Sequence, residues 1–145
     1  MTGAIEHLWI QERAAAPMTG VTQARAIANA GFKGCCHARP GKKRQVLLID
    51  VETLDSFQIA PGRAKENVTT RGIAIQDLPE GARVRIGGAV IEITGPCEPC
   101  GFMDSIRPGL REATMGKRGV LARIIEAGDV HIGDVVEVLP ATIGP

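Results

Sequence analysis

The stretch ARVRIGGAVIEIT, residues 82–94, constrains the fold more than any other part of the chain. Val84 and Ile86 alternate with Arg83 and Arg85, and Ile91 and Ile93 alternate with Glu92 and Thr94. A period of two sends successive side chains to opposite faces, so each arm predicts a strand with one buried face. Gly87-Gly88 between the arms offers a two-residue turn, because glycine adopts positive φ at little steric cost. Residues 82–94 therefore predict a β-hairpin.

The rest of the chain supplies partners for it. Residues 4–10, AIEHLWI, predict a short first strand, and QVLLID, 45–50, is the continuous apolar run of a buried strand. Asp50 stands at the N-cap of a short helix over VETLDSF, 51–57, with Glu52 in the first turn and Pro61-Gly62 ending the region. RPGLREATM, 107–115, reads as a second helix with Pro108 in its first turn. GVLARIIEAG (119–128) and DVVEVL (134–139) predict two further strands joined by a loop, AGDVHIGD. Residues 14–34 space Met18, Val21, Ile27 and Phe32 poorly for a helix face, and predict a loop with one short helix. The 18 glycines and 9 prolines are spread along the chain, which favours many turns between short strands. The expected fold is mostly β: a small closed or partly open barrel of about six or seven strands with one to three short helices. It forms one domain over residues 1–145.

Charge and composition narrow the function. A net charge of +1 gives no global attraction to nucleic acid or an anionic membrane. Trp9, Phe32, Phe57 and Phe102 are too scattered for a base-stacking platform. No apolar run approaches the ~18–20 residues of a membrane span. MTGAIEHLWIQ lacks the basic-then-apolar order of a secretory signal. A cytoplasmic, reducing setting is expected, where cysteines serve as thiols, ligands or catalysts rather than disulfides.

Cysteine chemistry concentrates in GPCEPCG, 95–101, which places Cys97 and Cys100 in a CxxC. Three readings compete. With Cys35-Cys36-His37 the pair would supply four zinc ligands, although adjacent cysteines are not the usual spacing. A thioredoxin-like dithiol needs CxxC at a helix start in a βαβ setting, whereas this one follows a hairpin. In the third reading one thiolate holds something else, as a soft metal ligand or as a persulfide. Basic residues Arg107, Lys117 and Arg118 follow Cys100 and would favour its thiolate.

Five segments, in order, resemble one family: GFKGCCHAR, RQVLLID, ENVTTRGI, LPEGARVRIGGAVIEITGPCEPC and RGVLARIIEAGDVHIGDVVEV. Together they look like a stand-alone MOSC domain, named for the C-terminal domain of molybdenum cofactor sulfurases. The resemblance implies a β-barrel similar to the small barrel domain of pyruvate kinase. It also implies a role around molybdenum cofactor, either binding it or carrying sulfur to it. In the related amidoxime-reducing enzymes a MOSC cysteine ligates the metal, and N-hydroxylated compounds are reduced. The family's cysteine position lands on Cys100, with Cys97, which also follows a proline, as the alternative.

Molybdopterin carries a phosphate, so cations are needed, and Arg44, Arg71, Lys117 and Arg118 each lie beside a family-like segment. Glu66-Asn67 would hydrogen-bond the ligand or lock a loop. His37 is a candidate ligand or acid–base group; His7 and His131 read as incidental, and Asp134 as a turn former. One departure stands out: Cys35 follows Gly34 where many family members have aspartate. The chain has room neither for the sulfurases' pyridoxal-phosphate domain nor for a second barrel. Pyridoxal phosphate is therefore not supported, and a sulfur donor or redox partner would be a separate protein. Oligomeric state stays open.

Overall fold

The structure is a computed structural model and describes residues 1–140; residues 141–145 of the expected single domain lie outside the described residues. In chain order the strands are β1 (Thr2–Ile10), β2 (Thr19–Val21), β3 (Gln23–Ile27), β4 (Gly31–Phe32), β5 (Val46–Asp50), β6 (Val68–Arg71), β7 (Arg83–Ile86), β8 (Ala89–Pro96), β9 (Val120–Glu126), β10 (Gly128–His131) and β11 (Val135–Val138). Three short helices are α1 (Val51–Ser56), α2 (Gly101–Ile106) and α3 (Leu110–Ala113).

Seven strands close a barrel in the order β1-β11-β7-β8-β9-β5-β6, with β6 returning to β1, while β2 adds outside it. The predicted hairpin is β7–β8, with Ile86 opposite Ala89 across the Gly87-Gly88 turn. Val84, Ile86, Ile91 and Ile93 point into the barrel, while Arg83 and Arg123 pair with Glu92 outside. Closure leaves the barrel strands with no long free edge.

The β5 run is buried along its whole length because it has two apolar faces to cover. Val46 and Leu48 face the barrel interior with Ile5, Val68, Val120 and Ile124. Ile49 faces outward into a second small core with Leu54, Ile59, Ala64, Met103 and Leu110. Each of the isoleucine, leucine and methionine side chains contributes about 1.5–3 kcal/mol when fully buried. The partners of Ile49 come from two long connections, 51–67 between β5 and β6, and 97–119 between β8 and β9. The first must run outside the barrel because β5 and β6 pair in parallel, and a parallel pair needs a crossover. The second core thus fixes both connections against the same flank.

Three expectations are corrected. Residues 14–34 contain no helix; they form β2, β3 and β4, the last two in a three-stranded sheet with β10. AGDVHIGD is not only a loop, since Gly128–His131 pairs with Gln23–Ala26 as β10. β2 and β4 hold three and two residues, and the inward positions of β3 and β10 are mostly alanine and glycine, too small to show an apolar period, so tertiary pairing decides them. The helix expected over 107–115 is confined to Leu110–Ala113, behind Gly109 at φ 87°, and α2 precedes it unforeseen. Asp50 caps α1 as expected, its carboxylate accepting from the Thr53 N–H at 3.0 Å.

Candidate functional site

The CxxC leaves the barrel at a break in β8. The β8–β9 register shifts between Ile93 and Gly95, and such irregularities re-aim the chain. Gly95 then pairs with Leu121 and Pro96 with Val120, and the Cys97 N–H donates to the Gly119 carbonyl at 2.9 Å. This seats Cys97 next to the start of β9, where Arg118 enters. Gly119 permits the close approach: its φ is 97°, and a Cβ there would lie 2.5 Å from the Leu48 carbonyl oxygen.

The two thiols then diverge. Cys97 is buried, whereas Cys100 is exposed. Cys100 is the N-cap residue of α2, its carbonyl accepting from the Met103 N–H at 3.0 Å. Solvent and reagents reach Cys100; the fold shields Cys97.

Arg118 is the unusual residue. It is only 3% exposed, and one terminal nitrogen donates to the Ala64 carbonyl at 2.6 Å. Its Nε and Nη1 are buried with no partner. Burial lowers its pKa most, Arg44 adds to that, and Cys97, Cys100 and Glu66 oppose it. The guanidinium stays charged regardless, because its ordinary pKa is so high. Its one hydrogen bond reaches the 51–67 connection two residues before Glu66, and Cys97 is hydrogen-bonded to the residue that follows Arg118, Gly119.

Glu66 and Asn67 end the β5–β6 connection. Glu66 is fully buried; its Oε2 accepts from the Gly62 N–H at 2.9 Å and the Thr69 hydroxyl at 2.6 Å, while Oε1 has no partner. Asn67 is committed to the scaffold: its Oδ1 accepts from the Leu47 N–H at 3.0 Å, and its Nδ2 donates to the Trp9 carbonyl and to Cys35 Sγ. Of the two roles read for this pair, Asn67 locks the loop, and Glu66 divides between scaffold and an unmet acceptor.

His37 is half-buried beside them. Burial lowers its pKa most, followed by Arg44, Lys65 and Arg39, while Asn67 pulls the other way. The imidazole is therefore neutral at neutral pH. Cys35, standing where an aspartate was expected, still acts as an acceptor: its sulfur takes the Gln11 N–H and the Asn67 amide, both at 3.4 Å.

The sequence-derived candidates thus separate. Cys97, Cys100, Arg118, Arg44, Glu66, Asn67 and His37 share one neighbourhood. Arg71 sits at the far end of β6, paired with Glu6 near the surface. Lys117 is exposed, with Nζ 5.9 Å from the centroid of the Phe57 ring, on the α1 side. Lys65 was not singled out from the sequence, yet its charge reaches His37 and its Nζ lies 4.3 Å from the Phe102 ring centroid. Its adjacency to Glu66-Asn67 was the available signal. Among the described residues, no three of His, Cys, Asp and Glu gather closely enough to hold a metal, so the four-ligand zinc site does not form.

Fold and site together define a small closed β-barrel that presents an exposed thiol and a buried, under-partnered arginine on the connections along one flank. The chain belongs to the MOSC domain family: the model of that domain matches residues 37–137. That family is associated with molybdenum cofactor. The crystal structure of the YuaD protein from Bacillus subtilis is similar over 95% of this chain and 96% of that one, with a TM-score of 0.82 at 20% identity. YiiM from Geobacillus stearothermophilus is similar over 95% of this chain and 75% of its own, with a TM-score of 0.76 at 16% identity. YiiM from Escherichia coli is similar over 98% and 71%, with a TM-score of 0.71 at 21% identity. These likenesses concern the fold. No curated protein sequence matches the chain. No helix among the described residues is long and apolar enough to cross a membrane.

Proposed function

We propose that this protein binds molybdenum cofactor on the barrel flank, with Cys100 as the thiolate ligand and Arg118 as the buried anchor for an anionic group. The observation that carries the reading is the pair of unmet donors on Arg118, Nε and Nη1, beside the CxxC. A guanidinium with free donors in a fixed fork suits phosphate oxygens. The second carboxylate oxygen of Glu66, buried and without a partner, suits an N–H donor, which a pterin ring offers. An exposed thiol is a soft ligand for a thiophilic metal. The chemistry of this donor set, a soft thiol, a guanidinium and a carboxylate, supports the group.

Bound there, the cofactor would supply two-electron redox chemistry. The chain's own residues would hold it: Arg118 and Arg44 by charge, Glu66 by its free oxygen, Cys100 by its sulfur. Asn67 keeps the loop in place, and neutral His37 offers a group able to accept a proton at its edge. N-hydroxylated compounds are the substrate class that the family resemblance suggests. The setting is the reducing cytoplasm, in keeping with four free cysteines, and a separate protein would deliver electrons.

A second reading keeps the same cysteine as a sulfur carrier. The exposure of Cys100 supports it, since a partner's persulfide must reach the thiol directly.

Elemental analysis of protein from molybdenum-replete cells tests the proposal, wild type beside Cys100→Ala and Arg118→Met. Near-stoichiometric molybdenum in wild type, lost in Cys100→Ala, is expected. Wild type without molybdenum would overturn cofactor binding and leave the sulfur carrier, which cyanide-labile sulfur on Cys100 would identify. One zinc per chain would overturn both.

A further inference from the structure

A cavity of about 430 Å3 opens beside the connection that carries Glu66. Small-molecule sites span roughly 300–1,000 Å3, so the size is adequate for a compound of one or two rings. Trp9, Met18 and Phe102 supply apolar walls, and Pro61-Gly62 closes one side. No acidic residue lines it, whereas Arg63 and Lys65 both do.

The walls are fixed by bonds inside the protein. Trp9 Nε1 donates to the Thr69 hydroxyl at 3.1 Å, and that hydroxyl donates to Glu66 Oε2 at 2.6 Å. The same oxygen accepts the Gly62 N–H at 2.9 Å. One buried carboxylate therefore ties the tryptophan wall and the Pro61-Gly62 turn into a single piece. Gly62 has φ 85°, and a Cβ there would meet three ring carbons of Trp9 at 3.0 Å, so the indole rests directly on the backbone. Across the cavity, buried Gln11 donates to the Ala16 carbonyl at 2.6 Å and holds the loop that carries Met18. Lys65 is in the left-handed region, φ 59°, which few residues other than glycine occupy. That backbone directs its ammonium over Phe102.

We propose that this cavity binds a small, flat aromatic compound carrying a negative charge. Its ring lies along Trp9 and Phe102, and its anionic group meets Lys65 and Arg63. Aromatic walls favour a ring through stacking or edge contacts, and the unopposed cations select the charge. The cavity also adjoins the thiol site. Phe102 is the second residue of α2, whose N-cap is Cys100, and Glu66, which holds the Thr69 hydroxyl that takes the Trp9 indole N–H, lies two residues from the Ala64 carbonyl to which Arg118 donates. As a substrate pocket it rests on the cofactor reading of Cys100; as a binding site it stands without that reading.

Trp9 is the only tryptophan in the chain, so its single indole N–H signal in a proton–nitrogen correlation spectrum reports on this cavity alone. The full chain is titrated with naphthoate, naphthylmethanol and acetate. Naphthoate is expected to shift the indole signal to saturation, naphthylmethanol to bind more weakly, and acetate to leave it in place. Lys65→Ala weakens naphthoate binding by about two- to fivefold, the worth of one partly exposed charge. Phe102→Leu weakens it by about three- to tenfold. An unmoved indole signal with naphthoate overturns the proposal. So does equal affinity for naphthoate and naphthylmethanol, or an unchanged affinity in both variants. Molybdenum content, measured on the same samples, separates the two readings. Naphthoate binding in a protein that takes up no molybdenum upholds the cavity and overturns only the cofactor assignment.

Discussion

Arg118→Met should make the ligand-free protein more stable while removing its capacity to hold the cofactor. The reasoning starts from the unmet Nε and Nη1 of a side chain that is 3% exposed. Each buried donor without a partner costs about 1–3 kcal/mol, so the pair costs about 2–6 kcal/mol. The bond to the Ala64 carbonyl, made by a charged donor, returns about 1.5–3 kcal/mol and is lost in the variant. Methionine fills similar length with apolar atoms and adapts to an irregular space. Replacing a buried charge by a well-packed apolar residue is often neutral or stabilising. At the midpoints of those ranges the balance is a gain of about 2 kcal/mol, or a Tm higher by roughly 4–8 °C for a chain of this size. Urea unfolding of the metal-free wild type and variant measures it, and Arg118→Met/Glu66→Gln controls for the carboxylate that loses a neighbouring cation. A loss of 2 kcal/mol or more in both variants would refute the reasoning, and would make Arg118 a structural strut between β9 and the 51–67 connection.

Three other outcomes follow from the same geometry. In the folded protein an alkylating reagent should modify Cys100 and leave Cys97 intact, as mass spectrometry of timed digests would show; equal rates would contradict the burial of Cys97. Gly119→Ala should destabilise by more than about 2 kcal/mol in urea unfolding, because it combines a left-handed φ with contact on the Leu48 carbonyl; a change within about 0.5 kcal/mol would refute that contact. His37 is held below its ordinary pKa by burial and three cations, so below about pH 6.5 the unfolded chain binds a proton that the folded chain refuses. Stability should therefore be flat above that pH, fall as pH drops through the ordinary histidine value, and level off below the folded pKa. His37→Gln should flatten that decline, and an identical pH profile in the variant would show that His37 does not drive it.

The sequence by itself determined the repeating parts of this protein. Strict alternation over 82–94 fixed a hairpin and its inward face, because a period of two is a property of the strand itself. The apolar run at 45–50 and the Asp50 cap were legible for the same reason: cap and strand are local, set by residues a few positions apart. The CxxC, with its following basic residues, was visible as chemistry before any fold was known.

Tertiary structure alone decided which candidates meet. Arg71 and Arg118 looked alike in sequence, each a basic residue beside a family-like segment. Burial at the start of β9 leaves one with two unmet donors, while the end of β6 pairs the other with Glu6. Cys97 and Cys100 each follow a proline, and Cys97 stayed an alternative to Cys100 until the irregularity in β8 turned Cys97 inward and left Cys100 at the cap of α2. In β3 and β10 the inward positions are mostly alanine and glycine, which carry no apolar pattern, and β10 pairs with β3 from far along the chain. The physical reason is common to these cases. Periodicity and capping are written in neighbouring residues, whereas burial, an unmet hydrogen bond and the approach of two connections arise only when a crossover and a closed barrel bring residues 66, 97, 100 and 118 to one flank.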